Sequence, residues 1–167
     1  MNQKYRKIIM WALYAALFVL VVLAQTTLFG RVRFFGVKLN LLPIAMVCIA
    51  MRNGHEAGGL FGLLAGLGWY ALGADDGTMA IISFTVIGIL AGWLCDNVFS
   101  IRFVPALLLS LGALLLHEGG LYLVKYYLGS ATAELGRWVP ITAGLSLVTT
   151  PVIYLLAKIA GKAGGNG

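Results

Sequence analysis

The sequence predicts an all-α integral membrane bundle of about six transmembrane helices. Hydrophobic residues make up 60% of the 167 residues and charged residues only 11%, whereas a soluble domain has about 45–50% apolar and about 25% charged residues. The mean hydropathy is +0.93, and the charges are grouped between long apolar runs. This composition excludes a soluble globular enzyme, a disordered chain and a collagen-like repeat.

Six apolar runs place the predicted spans within a single transmembrane domain over residues 1–167, because a helical span needs about 20 apolar residues. The spans cover about 8–29, 39–51, 57–72, 78–94, 103–124 and 138–157. The first run is too long for the apolar core of a signal peptide, so we expect a retained helix. The second run is short, and we expect it to be partly buried among other helices or to be re-entrant.

The positive charge of the chain is placed as in a membrane protein. The chain has twelve Lys and Arg and six Asp and Glu residues. The basic residues lie at the ends of the apolar runs, where such residues orient spans and contact lipid headgroups. A nucleic-acid surface would need a basic patch interleaved with aromatic residues on a soluble face. We therefore expect membrane lipid, and not nucleic acid, as a partner, and both termini in the cytoplasm.

Glycines recur every fourth position in two of the predicted spans. They are Gly58, Gly62 and Gly66 in the third span, and Gly88 and Gly92 in the fourth. This spacing puts small residues on one face of each helix, which allows two helix backbones to approach closely in lipid. We predict these five glycines as helix-packing positions.

Polar residues inside the spans are the candidates for function. His117 and Glu118 lie in the fifth span, and an ionisable residue inside a span is a functional hypothesis by default. They would serve as a hydrogen-bonded tie between helices, as a partner or conformational site, or in proton-coupled transport. Gln25 near the end of the first span favours interhelical bonding over a ligand contact, and Asn40 favours helix capping at the start of the second.

The sequence carries no pattern that is typical of a catalytic, metal or cofactor site. Cys48 and Cys95 are predicted to be free, buried thiols, and the Cys and His residues lack metal-ligand spacing. Neither a phosphate-binding Gly-rich loop nor a Ser–His–Asp order occurs. Asp75 and Asp76 lie in a Gly-bounded turn, which favours a solvated loop over paired acid and base. We predict a protein that is not an enzyme and has no cofactor.

The order of motifs resembles the MreD family, the small membrane subunit of the bacterial rod-shape (elongation) machinery, over about residues 20–128. The resemblance is carried by Gln25-Thr26-Thr27-Leu28, then Asn40-Leu41-Leu42, then Gly59-Leu60-Phe61-Gly62-Leu63-Leu64-Ala65-Gly66. Two positions depart from the family pattern. Tyr70 stands where the family usually carries Asp, and Leu39 stands where it usually carries Pro.

This resemblance implies a six-helix, non-enzymatic scaffold in the bacterial cytoplasmic (inner) membrane. Its partners would be MreC and, through MreC, MreB filaments and the RodA–transpeptidase synthase of peptidoglycan. The family is also similar in architecture to the substrate-binding subunits of energy-coupling-factor vitamin transporters, whose partners are a membrane coupling subunit and paired ATPases. This alternative predicts a pocket lined by Gln25, Asn40, Glu118 and Tyr122.

Overall fold

A computed structural model describes residues 3–29, 36, 38–71 and 77–164, and these residues are mostly helical, with short non-helical connections and no strand among them. The helices are α1 (Gln3–Ala24, continued by a π-helical turn Gln25–Phe29), α2 (Leu42–Ala71), α3 (Gly77–Asn97), α4 (Phe103–Tyr127), α5 (Trp138–Leu147, preceded by a 3-10 turn Ala133–Arg137) and α6 (Thr150–Gly164). The predicted all-α class is confirmed.

Three helical stretches are long and apolar enough to cross a membrane, and a bent pair of helices adds a fourth if it counts as one span. The three are Ile8–Thr27, Gly77–Asn97 and Phe103–Tyr127, and the bent pair is Glu134–Leu147 with Thr150–Lys162. Their outward faces carry large apolar side chains such as Leu20, Ile82 and Leu123, each more than half exposed. These features are consistent with a membrane protein, although three or four spans are fewer than the six predicted.

Helix α2 is a helical hairpin. Gly54 interrupts it with φ 82° and ψ 178°, a conformation that only glycine adopts readily. A Cβ atom added to Gly58 would lie 2.6 Å from the Cβ atom of Ala50, whereas eight residues of straight helix span about 12 Å. The chain therefore reverses at Gly54, between the predicted second and third spans.

The first arm of this hairpin forms the centre of the bundle. Every residue from 42 to 51 is at most 3% exposed. A helix that contacts protein on all sides does not need the length of a lipid-exposed span, because its neighbours form the hydrophobic surface. This burial explains why an apolar run of only thirteen residues (39–51) is stable at this position.

The second arm of the hairpin packs closely on α3 through the predicted glycines. A Cβ atom at Gly62 would overlap the carbonyl group of Phe84, and one at Gly66 would overlap the backbone of Ile81. The other three positions meet backbone in the same way: Gly58 against Gly88, Gly88 against Gly58, and Gly92 against His55. Any larger residue there would push the two helices apart.

The sixth predicted span, 138–157, is two helices rather than one. Helix α5 ends at Leu147, α6 begins at Thr150, and the two are bent by 47°. Pro151 lacks a backbone N–H, so it cannot continue the hydrogen bonding of α5, and it lies in the first turn of α6, where proline is tolerated. The hydroxyl of Thr149 donates a hydrogen bond to the Ser146 carbonyl, 2.7 Å away, at the bend.

Candidate functional site

Gln25 joins α1 to the beginning of α2. This residue is 3% exposed. It is the first residue of the π-helical turn. The Gln25 Nε2 atom donates to the Leu39 carbonyl at 2.8 Å, and the Leu41 N–H donates to the Gln25 Oε1 atom at 2.9 Å. The amide therefore pairs with the backbone on both sides of Asn40.

Asn40 is bound from two further helices. Its backbone N–H donates to the Ser146 hydroxyl in α5 at 2.9 Å, and its Nδ2 atom donates to the Glu118 Oε1 atom in α4 at 3.0 Å. The Asn40 Oδ1 atom is buried and makes no hydrogen bond within the described residues. The expected capping role is therefore wrong, because a cap needs this oxygen to accept a backbone N–H.

Gln25, Asn40, Glu118 and Ser146 form what we term the Asn40 junction. It brings together three of the four polar candidates from the sequence and connects α1, α2, α4 and α5. A buried polar group that loses its hydrogen bond in an apolar environment is costly. These hydrogen bonds join amide, carboxylate, hydroxyl and backbone groups, which is the chemistry of a tie between helices.

A cavity of about 280 Å³ lies beside Glu118 at this end of the bundle. Its wall includes Glu118, Tyr122, Lys125, Trp138 and Thr142. Two of the four predicted pocket residues, Gln25 and Asn40, do not line it. The volume lies just below the range of about 300–1,000 Å³ that is typical of small-molecule sites.

His117 faces a different neighbour from Glu118. It is 2% exposed, its Nδ1 atom lies 2.7 Å from the Ser83 hydroxyl in α3, and its ring centroid lies 4.5 Å from that of Phe84. The pair that is adjacent in sequence therefore contacts different helices, since consecutive residues point about 100° apart around a helix. His117 ties α4 to α3, whereas Glu118 belongs to the Asn40 junction.

A second polar cluster lies at the opposite end of the bundle, around Arg52, His55 and Asp96. We term this end of the bundle the Arg52 end. There the His55 Nδ1 atom lies 3.2 Å from the Asp96 Oδ2 atom, joining the hairpin turn of α2 to the end of α3. No motif in the sequence singles out His55 and Asp96 as a pair. Two features of the sequence could have indicated this pair: Asp96 lies just after the predicted span 78–94, and His55 follows the short apolar run 39–51.

Ser83 and Ser146 were also missed. Each carries a hydroxyl in an otherwise largely apolar helix, and such residues bond across helices in membrane proteins. Cys48 is buried as expected, Cys95 is only partly buried, and both are free thiols. Asp75 and Asp76 lie outside the described residues. Within those residues, no group of three or more His, Cys, Asp and Glu side chains is close enough to hold a metal ion.

Comparison of the chain with protein-family models, curated proteins and solved structures gave no match.

Proposed function

We propose that this protein is a non-enzymatic scaffold subunit of the bacterial rod-shape machinery. It crosses the cytoplasmic membrane six times, binds MreC, and through MreC positions MreB and the RodA–transpeptidase synthase. The observation that supports the proposal is the Asn40 junction. Gln25 and Asn40 belong to the sequence motifs that resemble the MreD family, and their side chains bond to the rest of the bundle rather than facing an open site.

The hairpin at Gly54 supports six crossings. Its first arm begins at Leu42 and ends before Gly54, and its second arm returns along α3. Helix α1 precedes the hairpin, α3 and α4 follow it, and the bent pair α5–α6 completes the path. The Tyr14 hydroxyl lies 3.5 Å from the Ala157 carbonyl, which puts the middle of α1 beside the middle of α6. Towards the two chain ends, Met10 lines a cavity with Arg52, and a Cβ atom at Gly161 would lie 3.2 Å from the Arg52 guanidinium. Both termini then lie at the Arg52 end, which we assign to the cytoplasm.

A scaffold role also fits the distribution of polar atoms. The described polar groups in the helices mostly bond to other helices or to their own backbone, while the outward faces of α1, α3 and α4 are apolar and exposed. Such faces are available to lipid and to the transmembrane helices of partners. The junction fixes the relative positions of the helices that present these faces.

The test is affinity purification in mild detergent with mass spectrometry of the retained proteins. We expect recovery of MreC with cell-wall synthesis proteins, and we expect Glu118→Leu to reduce that recovery, because it removes the acceptor for Asn40. Glu134→Leu is the matched control, since Glu134 lies in the exposed 3-10 turn. If neither variant changes the recovery of MreC, the Asn40 junction is not needed for MreC binding. If MreC is absent from the wild-type sample, the scaffold proposal is refuted.

The second candidate is a substrate-binding subunit of a vitamin transporter, favoured by one observation. The cavity beside Glu118 is lined by Tyr122, Lys125 and Trp138, a mixture of aromatic and charged groups suited to a small polar ligand. This candidate is second because the cavity volume of about 280 Å³ lies below the range of about 300–1,000 Å³ for small-molecule sites. Recovery of a membrane coupling subunit and paired ATPases in the same purification would favour it over the scaffold.

A further inference from the structure

A cavity that combines charged and apolar walls lies at the Arg52 end of the bundle. Its volume is about 540 Å³. One side is apolar and comes from α1, with Met10 and Trp11. The other side is polar and comes from the α2 turn and the end of α3: Arg52, Asn53, Gly54, His55, Glu56 and Asp96.

The position of this cavity along the bundle is that of a membrane surface. Trp11 lies close to the beginning of the apolar stretch Ile8–Thr27, and Asp96 lies close to the end of Gly77–Asn97. Tryptophan is enriched where the headgroups meet the hydrocarbon. The ring of Trp11 stacks on Phe61, with centroids 5.9 Å apart and an interplanar angle of 5°, which fixes its place on the cavity wall.

Arg52 provides a positive charge that the described residues do not neutralise. Its guanidinium lies 5.5 Å from the centre of the Tyr154 ring, and its Nε atom is buried without a hydrogen-bond acceptor in the described part of the chain. The ion pairs found there are His55 with Asp96 and Arg137 with Glu134. A partly buried guanidinium without an anion is unfavourable, and phosphate is an anion that Arg binds through two parallel hydrogen bonds.

The wall of the same cavity includes two carboxylates, Asp96 and Glu56. Their negative charges restrict the class of ligand that can bind beside Arg52. Asp96 lies 3.2 Å from the partly exposed His55 ring, and Glu56 follows on the exposed side of the turn. A simple anion on Arg52 would be repelled by these groups. A ligand that carries a phosphate and an ammonium group a few bonds apart matches both charges.

We propose that this cavity binds the headgroup of an aminophospholipid of the phosphatidylethanolamine type. The phosphate lies on Arg52, the ammonium group lies between Asp96 and Glu56, and the acyl chains leave past Met10 and Trp11 into the adjoining leaflet. This inference does not depend on the proposed scaffold function, because it concerns the opposite end of the bundle from the Asn40 junction.

The test uses the full chain, purified in detergent, stripped of lipid and titrated with phosphatidylethanolamine, phosphatidylglycerol or phosphatidylcholine, with bound lipid counted by native mass spectrometry. We expect phosphatidylethanolamine to bind about tenfold more tightly than the other two. Asp96→Asn should abolish this preference, because it removes a partner of the ammonium group and relieves the repulsion of the phosphatidylglycerol phosphate. Arg52→Met should weaken both lipids, and Arg52→Lys should weaken them less.

Arg102→Met is the matched control, since Arg102 is an exposed cation near the same end but does not line the cavity. Equal binding of the three lipids by the wild-type chain would overturn the proposal. So would an Asp96→Asn variant that keeps the preference for phosphatidylethanolamine. If soluble phosphoethanolamine displaces the lipid at equal concentration, the acyl chains contribute nothing, and the lipid assignment is overturned in favour of a soluble phosphoamine.

Discussion

Replacing Gln25 with Met removes two hydrogen bonds at almost constant side-chain volume. The substitution leaves the Leu39 carbonyl and the Leu41 N–H, both in buried residues, without the partners that Gln25 provides. An interhelical hydrogen bond in a membrane protein contributes about 0.6–2 kcal/mol, and each buried group left unpaired costs about 1–3 kcal/mol. The two ranges are alternative estimates of the same effect, so they are not added to each other. For two lost hydrogen bonds they overlap at about 2–4 kcal/mol, which is the decrease in the free energy of unfolding that we expect for Gln25→Met.

The measurement is reversible unfolding in mixed detergent micelles, followed by far-UV circular dichroism and by the fluorescence of the tryptophans. Thr27→Val is the matched control in the same π-helical turn. The Thr27 hydroxyl donates at 2.6 Å to the Leu23 carbonyl four residues earlier and is exposed, so its loss should change stability by less than about 0.5 kcal/mol. If the two variants unfold with equal free energies, the amide of Gln25 does not hold the beginning of α2, and the reasoning about the junction fails.

Two further predictions concern helix packing and topology. Gly62→Leu should destabilise the protein by about 3 kcal/mol in the same unfolding assay, since its side chain would displace α3, whereas Gly112→Leu, at a glycine with open space around it, should have little effect; equal losses would argue against a close α2–α3 contact. With an impermeant maleimide, Asp76→Cys should be labelled on intact cells, while Cys95 should be labelled only in inverted membrane vesicles; the reverse pattern would invert the topology.

Much of the helical organisation could be predicted from the sequence because its signals are local. Apolar runs fix where helices lie, and the observed α3 and α4 begin within one residue of the predicted starts at 78 and 103. The glycines at every fourth position also mark one helix face regardless of what packs there. The break between the second and third spans fell at Gly54 because the polar run 52–56 interrupts the apolar pattern.

The contacts of the candidate residues could not be predicted, because they depend on packing between distant parts of the chain. Asn40 and Glu118 are 78 residues apart, and Asn40 and Ser146 are 106 apart. The expected cap at Asn40 was wrong because bonds to α4 and α5 replaced the local one. The bend between α5 and α6 was missed because both helices are apolar, so hydropathy runs through Pro151 without interruption.

The unpaired charge of Arg52 has the same origin. A turn of charged residues after an apolar run is typical of a solvated loop, and nothing in the spacing indicates that Asp96 binds His55 instead of Arg52. Only the packing of α3 against the hairpin decides which cation receives the carboxylate. The glycine contacts that bring α3 close to α2 therefore also determine the charge balance of the cavity at the Arg52 end.

The hairpin turn itself provides the last prediction. Gly54 has φ 82° and ψ 178°, a region that is essentially restricted to glycine, so Gly54→Ala should lower the free energy of unfolding by about 1–3 kcal/mol. Gly54→Asn should not restore it, because Asn tolerates the left-handed helical region and not this one. Gly68→Ala is the control, since Gly68 lies in the second arm with open space around it and Ala favours a helix by about 1 kcal/mol. A Gly54→Ala protein that unfolds like the wild type would mean that the helix continues through this position, and the central buried arm would then lose its structural explanation.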